Sequence, residues 1–99
     1  MFKINGVIWQ IYLVDPYHPM LLKPDKTFSV GACDRETQGI YINDMLDDWF
    51  LKRVLCHEIV HGIFVHLGYN DYAQDEQLVQ ALGNAIYQGF NIKVESEDE

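Results

Sequence analysis

Cations are scarce in this sequence: seven Lys and Arg stand against fifteen Asp and Glu, giving a formal net charge of −8. Nucleic-acid affinity is mostly neutralisation of phosphates by clustered Lys and Arg, so a few scattered cations argue against non-specific DNA or RNA binding. An anionic membrane surface is disfavoured for the same reason. No run of about 18 apolar residues occurs, which excludes a transmembrane helix from the sequence reading. The two cysteines, Cys33 and Cys56, are too few for a disulfide framework and read as small buried residues. Disorder is excluded too, because 48% of residues are apolar and 13% aromatic. Four of the acids lie within residues 95–99, an acidic tail beyond a single domain spanning residues 1–94.

Residues 7–14 alternate, with Val7, Trp9, Ile11 and Leu13 on one side and Ile8, Gln10, Tyr12 and Val14 on the other. That pattern predicts a strand. Gln10 interrupts it and Asp15-Pro16 follows in place of a small-residue cleavage site, so it does not read as a signal peptide, and a cytoplasmic protein is expected. Asn5-Gly6 before it fits either a tight hairpin turn or a bulge. All three prolines fall within residues 15–26, predicting an irregular loop. Residues 28–33 and 39–42 flank a polar segment and predict a hairpin, for about three strands in an antiparallel or mixed sheet. A helix beginning near Met45, capped by Asn43 or Asp44, runs to Leu67 with Gly68 as its stop. It is apolar nearly all round in its second half and should be buried on more than one side. After a loop over residues 69–72, Asp75 and Glu76 open a second helix with Leu78, Val79, Leu82, Ala85 and Ile86 as its apolar stripe. The class is therefore α+β, a small sheet packed on two main helices.

The residues that carry chemistry are His57-Glu58-Ile59-Val60-His61, in the middle of the first helix. Four residues advance a helix by about 400°, so the two imidazoles stand one turn apart on one face and can share an ion. Glu58 is rotated by about 100° from His57, beside the ion without binding it, where it can deprotonate a water. With four His and six Glu in the chain, a chance match is expected on the order of once in a hundred such sequences. The bland alternative, two core histidines and an unrelated Glu, would bury a carboxylate with no Lys or Arg one turn away on its face.

A hydrolytic zinc site wants three protein ligands and one open position. His66 lies nine residues beyond His57, about 180° round the helix, and points away. Cys56 points about 100° from His57 and would close the open position. The remaining donors are Asp71, Asp75 and Glu76. Wheel geometry puts Asp75 toward the centre of the second helix's stripe and Glu76 toward its edge, beside Val79 and Gly83, and slightly favours Asp75.

The order of strand, Gly-Ile-Tyr-Ile-Asn-Asp hairpin, helix with His57-Glu58-x-x-His61, and helix opening Asp75-Glu76-Gln77-Leu78-Val79 resembles the phage and mobile-element metallopeptidases of the ImmA/IrrE family, within the zincin group. The resemblance covers about residues 31–87. It implies a minimal zincin-like domain, in the host cytoplasm if phage-encoded. It also implies an acidic third zinc ligand on the second helix, with small or apolar residues three and seven positions later. Val79 and Gly83 stand at those spacings from Glu76, so the resemblance assigns the ligand role to Glu76.

The expected function is zinc-dependent peptide hydrolysis: His57, His61 and Glu76 hold Zn²⁺, and Glu58 is the general base for a zinc-activated water. The resemblance implies a protein substrate such as a repressor or other regulator. The alternative is a zinc-bearing adaptor that docks a partner and cleaves nothing. Residues 39–42 are expected to offer an open strand edge to an extended peptide. Tyr69, Tyr72, Tyr41 and His18 are candidate oxyanion donors, and Trp9 and Trp49 are expected in the core.

Overall fold

The computed structural model describes residues 2–4 and 6–90; the acidic stretch 95–99 lies outside them. The alternating segment forms β2 (Val7–Val14), preceded by β1 (Phe2–Ile4). Ile4 pairs with Val7, and Gly6 has φ +80°, a left-handed conformation that a tight turn needs and glycine adopts without strain. The open choice at this point is therefore resolved as a hairpin. Trp9 is only 1% exposed and Val7 and Ile11 pack beside it, while Ile8 and Tyr12 face outward.

The polar segment predicted as a hairpin turn joins β3 (Gly31–Asp34) to β4 (Gly39–Asn43), which pair antiparallel. The Asp34 carboxylate fixes the turn, accepting from the Thr37 hydroxyl at 2.6 Å and from the Thr37 and Glu36 amides. β4 also pairs in parallel with β2, so the sheet is mixed, with strand order β1-β2-β4-β3. β3 starts later than expected, at Gly31. Phe28 instead bridges back to Leu22, and the Ser29 amide donates to the Leu21 carbonyl, folding the proline-rich loop onto the strand. That loop contains one 3-10 turn, Pro19–Leu21, which buries Leu21.

α1 spans Asp48–His66, with Asp47 at the N-cap position. The expected start near Met45 is corrected: Asn43 and Asp44 are held by the sheet. The Asn43 amide donates to Val30, the Asp44 amide donates to Val14, and the Asn43 side chain accepts from Met45. The expected stop at Gly68 is found, with φ +85° and the Gly68 and Tyr69 amides returning to Val65 and Phe64. α1 packs on β3 and β4 on one side and on α3 (Glu76–Gly89) on the other, as its all-round apolar character requires. Trp9, Ile40, Ile42, Val54 and Leu55 form the core between sheet and helix. Trp49 is not part of it; at 53% exposed it lies on the solvent side of the first turn of α1. Residues 69–72, expected as a loop, lead into and largely form one helical turn, α2 (Asn70–Ala73).

No described helix is long and apolar enough to cross a membrane.

Candidate metal centre

One turn apart on α1, His57 and His61 bring their Nε2 atoms to 3.2 Å. Glu76, in the first turn of α3, places Oε2 3.1 Å from the Nε2 of His57 and Oε1 3.0 Å from the Nε2 of His61. Among the described residues these three form a group whose donor atoms could hold a metal ion. Donors bound tetrahedrally at about 2.0–2.1 Å stand about 3.3 Å apart, so the three separations suit a small divalent cation. Two imidazoles and one carboxylate are also a donor set of the right chemistry for zinc.

Asp75 and Glu76 are divided by local helix chemistry. Asp75 is the N-cap of α3, its carboxylate accepting from the Leu78 amide at 3.1 Å, and the next side chain reaches the histidines. The buried line of α3 is Val79 and Gly83, whereas Leu82 is 40% exposed and Ala85 lies outside the core. The expected stripe is thus rotated toward Glu76. The reason is Gly83: a Cβ there would stand 3.1 Å from the Cα of His57, so the absent side chain lets α3 lie directly against the backbone of the ligand-bearing turn. His66, Cys56 and Asp71 are outside the donor group. Cys56 is fully buried, as expected, while Cys33 is half-buried.

Both rings have a further partner. His57 Nδ1 lies 2.9 Å from Oε1 of Gln80, one turn after Glu76 on α3. His61 is hydrogen-bonded to the Ala73 carbonyl at the end of α2. The Gln80 contact suits a His57 ring donating through Nδ1 and keeping Nε2 free for an ion. Burial holds His61 below the ordinary imidazole range, with Glu76 and the Ala73 carbonyl opposing and His57 assisting. Sequence reading missed Gln80 and Ala73; the spacing of Gln80 from Glu76, i to i+4, was the available signal for the first. Replacing Gln80 with Leu is expected to weaken metal binding by about 10–100-fold, read by competition with a chromogenic chelator.

Glu58 faces the sheet from α1 and is only 9% exposed. Burial, with the nearby Glu76 charge adding to it, pushes its carboxyl up to about 7. It fits because residue 31 is glycine: a Cβ there would lie 2.5 Å from Val54 Cγ1 and 3.3 Å from Oε2 of Glu58. Cys33, further along β3, is pushed up to about 12 by burial and by Glu58 and Asp34.

Glu58 lines three cavities. One of about 440 Å³ also has Arg35, His61 and Glu76 on its wall. A second, about 500 Å³, runs along Lys23, Gly31 and Ala32 past the same donors. A third, about 250 Å³, includes Arg53, His57 and Gln80. None of the four oxyanion candidates is on these walls. Tyr41 stacks between Tyr12 and His18, the His18 ring accepts from the Met20 amide, and Tyr69 and Tyr72 pack on each other. The expected edge is corrected as well. β4 lies inside the sheet between β2 and β3, and β3 is the open edge beside Glu58.

The chain matches no protein-family profile, no curated protein and no solved structure.

Proposed function

We propose that this protein is a minimal zinc-dependent peptidase with a zincin-like arrangement, as its resemblance to the ImmA/IrrE metallopeptidases implies. The observation that carries the reading is the triangle of His57, His61 and Glu76 donors at 3.0–3.2 Å with the buried Glu58 beside it. A structural ion would have no use for an extra carboxylate kept out of its donor set. Zinc held by these donors would supply Lewis acidity, acidifying a water and polarising a substrate carbonyl.

The chain's own residues do the rest. His57 and His61 are oriented by Gln80 and Ala73, and Glu76 closes the donor set from a second helix. Glu58 accepts the proton of the attacking water and returns it to the leaving amine. The Asn43 amide donates to the Val30 carbonyl, and in an antiparallel ladder the alternate residues, Gly31 and Cys33, then turn their main-chain groups away from β4. At Gly31 the Ser29 hydroxyl donates to the carbonyl at 2.6 Å and accepts from the amide at 3.3 Å, so an incoming strand takes its place there. An extended peptide can add there as a further strand, with its backbone passing Glu58. A regulatory protein such as a repressor is the substrate class the resemblance suggests.

Two measurements on the purified protein test this. Metal analysis should find one zinc per chain, and Glu76→Ala should lose most of it while remaining folded by circular dichroism. Incubation with a peptide mixture should give cleavage that a chelator abolishes. Metal-dependent capture of a partner with every peptide intact would establish an adaptor instead, and a chain without metal under saturating zinc would remove both readings.

A further inference from the structure

Five Lys and Arg side chains are described, and Lys26 lies on the proline-rich loop outside the three cavities. Lys52 is paired with Asp48 at 2.8 Å on the outer face of α1. Lys23, Arg35 and Arg53, by contrast, each line one of the three cavities that meet at Glu58. Among the described residues none of the three is in an ion pair; Arg53 reaches only the neutral Asn84 amide, at 3.2 Å.

Of the carboxylates nearest in sequence, Glu36 is exposed and in no ion pair among the described residues, and Asp25 and Asp34 are otherwise engaged. Asp25 turns to the hydroxyl and amide of Thr27, at 2.6 and 3.0 Å, and influences Lys23 only through space. Asp34 holds the hairpin turn through Thr37. Of the acids within the site, Glu58 is buried, and Glu76, exposed at its side chain, lies on the two histidines.

The cations also bracket one feature. Arg35 directly follows β3, and Lys23 shares a cavity with Gly31 and Ala32 at the strand's beginning. A segment lying along this edge therefore meets an unpaired positive charge toward either end, in a protein whose net charge is −8.

We propose that the site selects acidic peptides, with Lys23 and Arg35 as specificity-determining residues that receive Asp or Glu side chains on either side of the segment held at the edge of β3. This rests on the peptidase reading and adds the substrate class to it. The selection is local. At about 0.15 M salt, interactions beyond about 8 Å are screened, so the two cations act on a bound acid while repulsion from the rest of the chain is muted.

The test uses zinc-loaded full-length Glu58→Gln and fluorescein-labelled ten-residue peptides, with matched Glu, Gln or Lys residues on both sides of an apolar centre. At about 0.15 M salt the Glu peptide should bind about tenfold more tightly than its Gln counterpart, and the difference should nearly vanish at about 1 M. K23E and R35E should each narrow the preference and the double variant should invert it toward Lys peptides, with zinc content and melting temperature unchanged. Equal binding of Glu and Gln peptides would overturn acidic selection and leave the peptidase reading standing. An unaltered preference in the double variant would overturn the assignment to these two residues. Failure to bind any peptide, whatever its charge, would overturn both.

Discussion

Replacing Glu58 with Gln is expected to keep zinc bound and to slow peptide hydrolysis by about two to four orders of magnitude, the usual worth of a positioned acid-base group. The expectation follows from the division of labour in the site. The donor triangle is complete without Glu58, so the ion has no reason to leave when the carboxylate becomes an amide. Glutamine has the same shape and still fits beneath Gly31, whose missing side chain makes the space. What is lost is the capacity to take a proton. Environment tunes the carboxyl for proton transfer, since in the unmetallated protein burial pushes it up to about 7, near the pH at which a general base works best. His61→Ala is the contrasting variant and should lose both ion and activity. Retained cleavage in zinc-loaded Glu58→Gln, measured with a quenched fluorescent peptide, would remove Glu58 from the mechanism.

The second large effect concerns folding, and appears when zinc is stripped away. Glu58 is protonated more readily in the folded chain, at about 7, than at its ordinary 4.5. The folded state thus binds the extra proton between those values, and stability falls as pH rises from about 4.5 to about 7, then levels off. The span corresponds to about 3 kcal/mol for this nearly inaccessible group. His61 works in the opposite sense, because its lowered folded value costs stability as pH falls through the ordinary imidazole range. Comparing variants removes that background. With chelator present, urea denaturation should show Glu58→Gln more stable than the parent by about 3 kcal/mol above pH 7, the gap closing near pH 4.5. A variant less stable at every pH would mean the carboxylate contributes favourable contacts that outweigh its burial.

Much of the site could be read from residues close together in sequence. The helical face shared by His57 and His61, the exclusion of His66, and the strand at Val7–Val14 follow from periodicities set by backbone geometry alone. The helix stop at Gly68 was equally local, since a left-handed residue is needed there. Where tertiary packing decides, the residues said less. Wheel geometry on α3 favoured Asp75 because it weighed Leu82 and Ala85 as buried positions. The helix instead follows its glycine: Gly83 permits the closest approach to α1 and turns Glu76 toward the histidines. The start of α1 moved for a similar reason, since hydrogen bonds from the Asn43 and Asp44 amides to the Val30 and Val14 carbonyls tie these residues to the sheet. Strand order was the least accessible feature. Only the parallel pairing of Gln10 through Val14 with Gly39 through Asn43 puts β4 inside and leaves β3 outermost. Trp49 fell outside the core because it lies on the solvent side of the first turn of α1, where Phe50 and Leu51 take the packed positions.

An outermost strand that could receive a foreign chain could equally receive a copy of itself, which is how proteins begin to aggregate. β3 limits that danger by brevity. It has four residues, begins at a glycine and ends at an aspartate, so two molecules meeting edge to edge would gain few backbone bonds. Each would also bring the other a charge of −8. Mutual repulsion and a short template both disfavour such edge-to-edge pairing through β3.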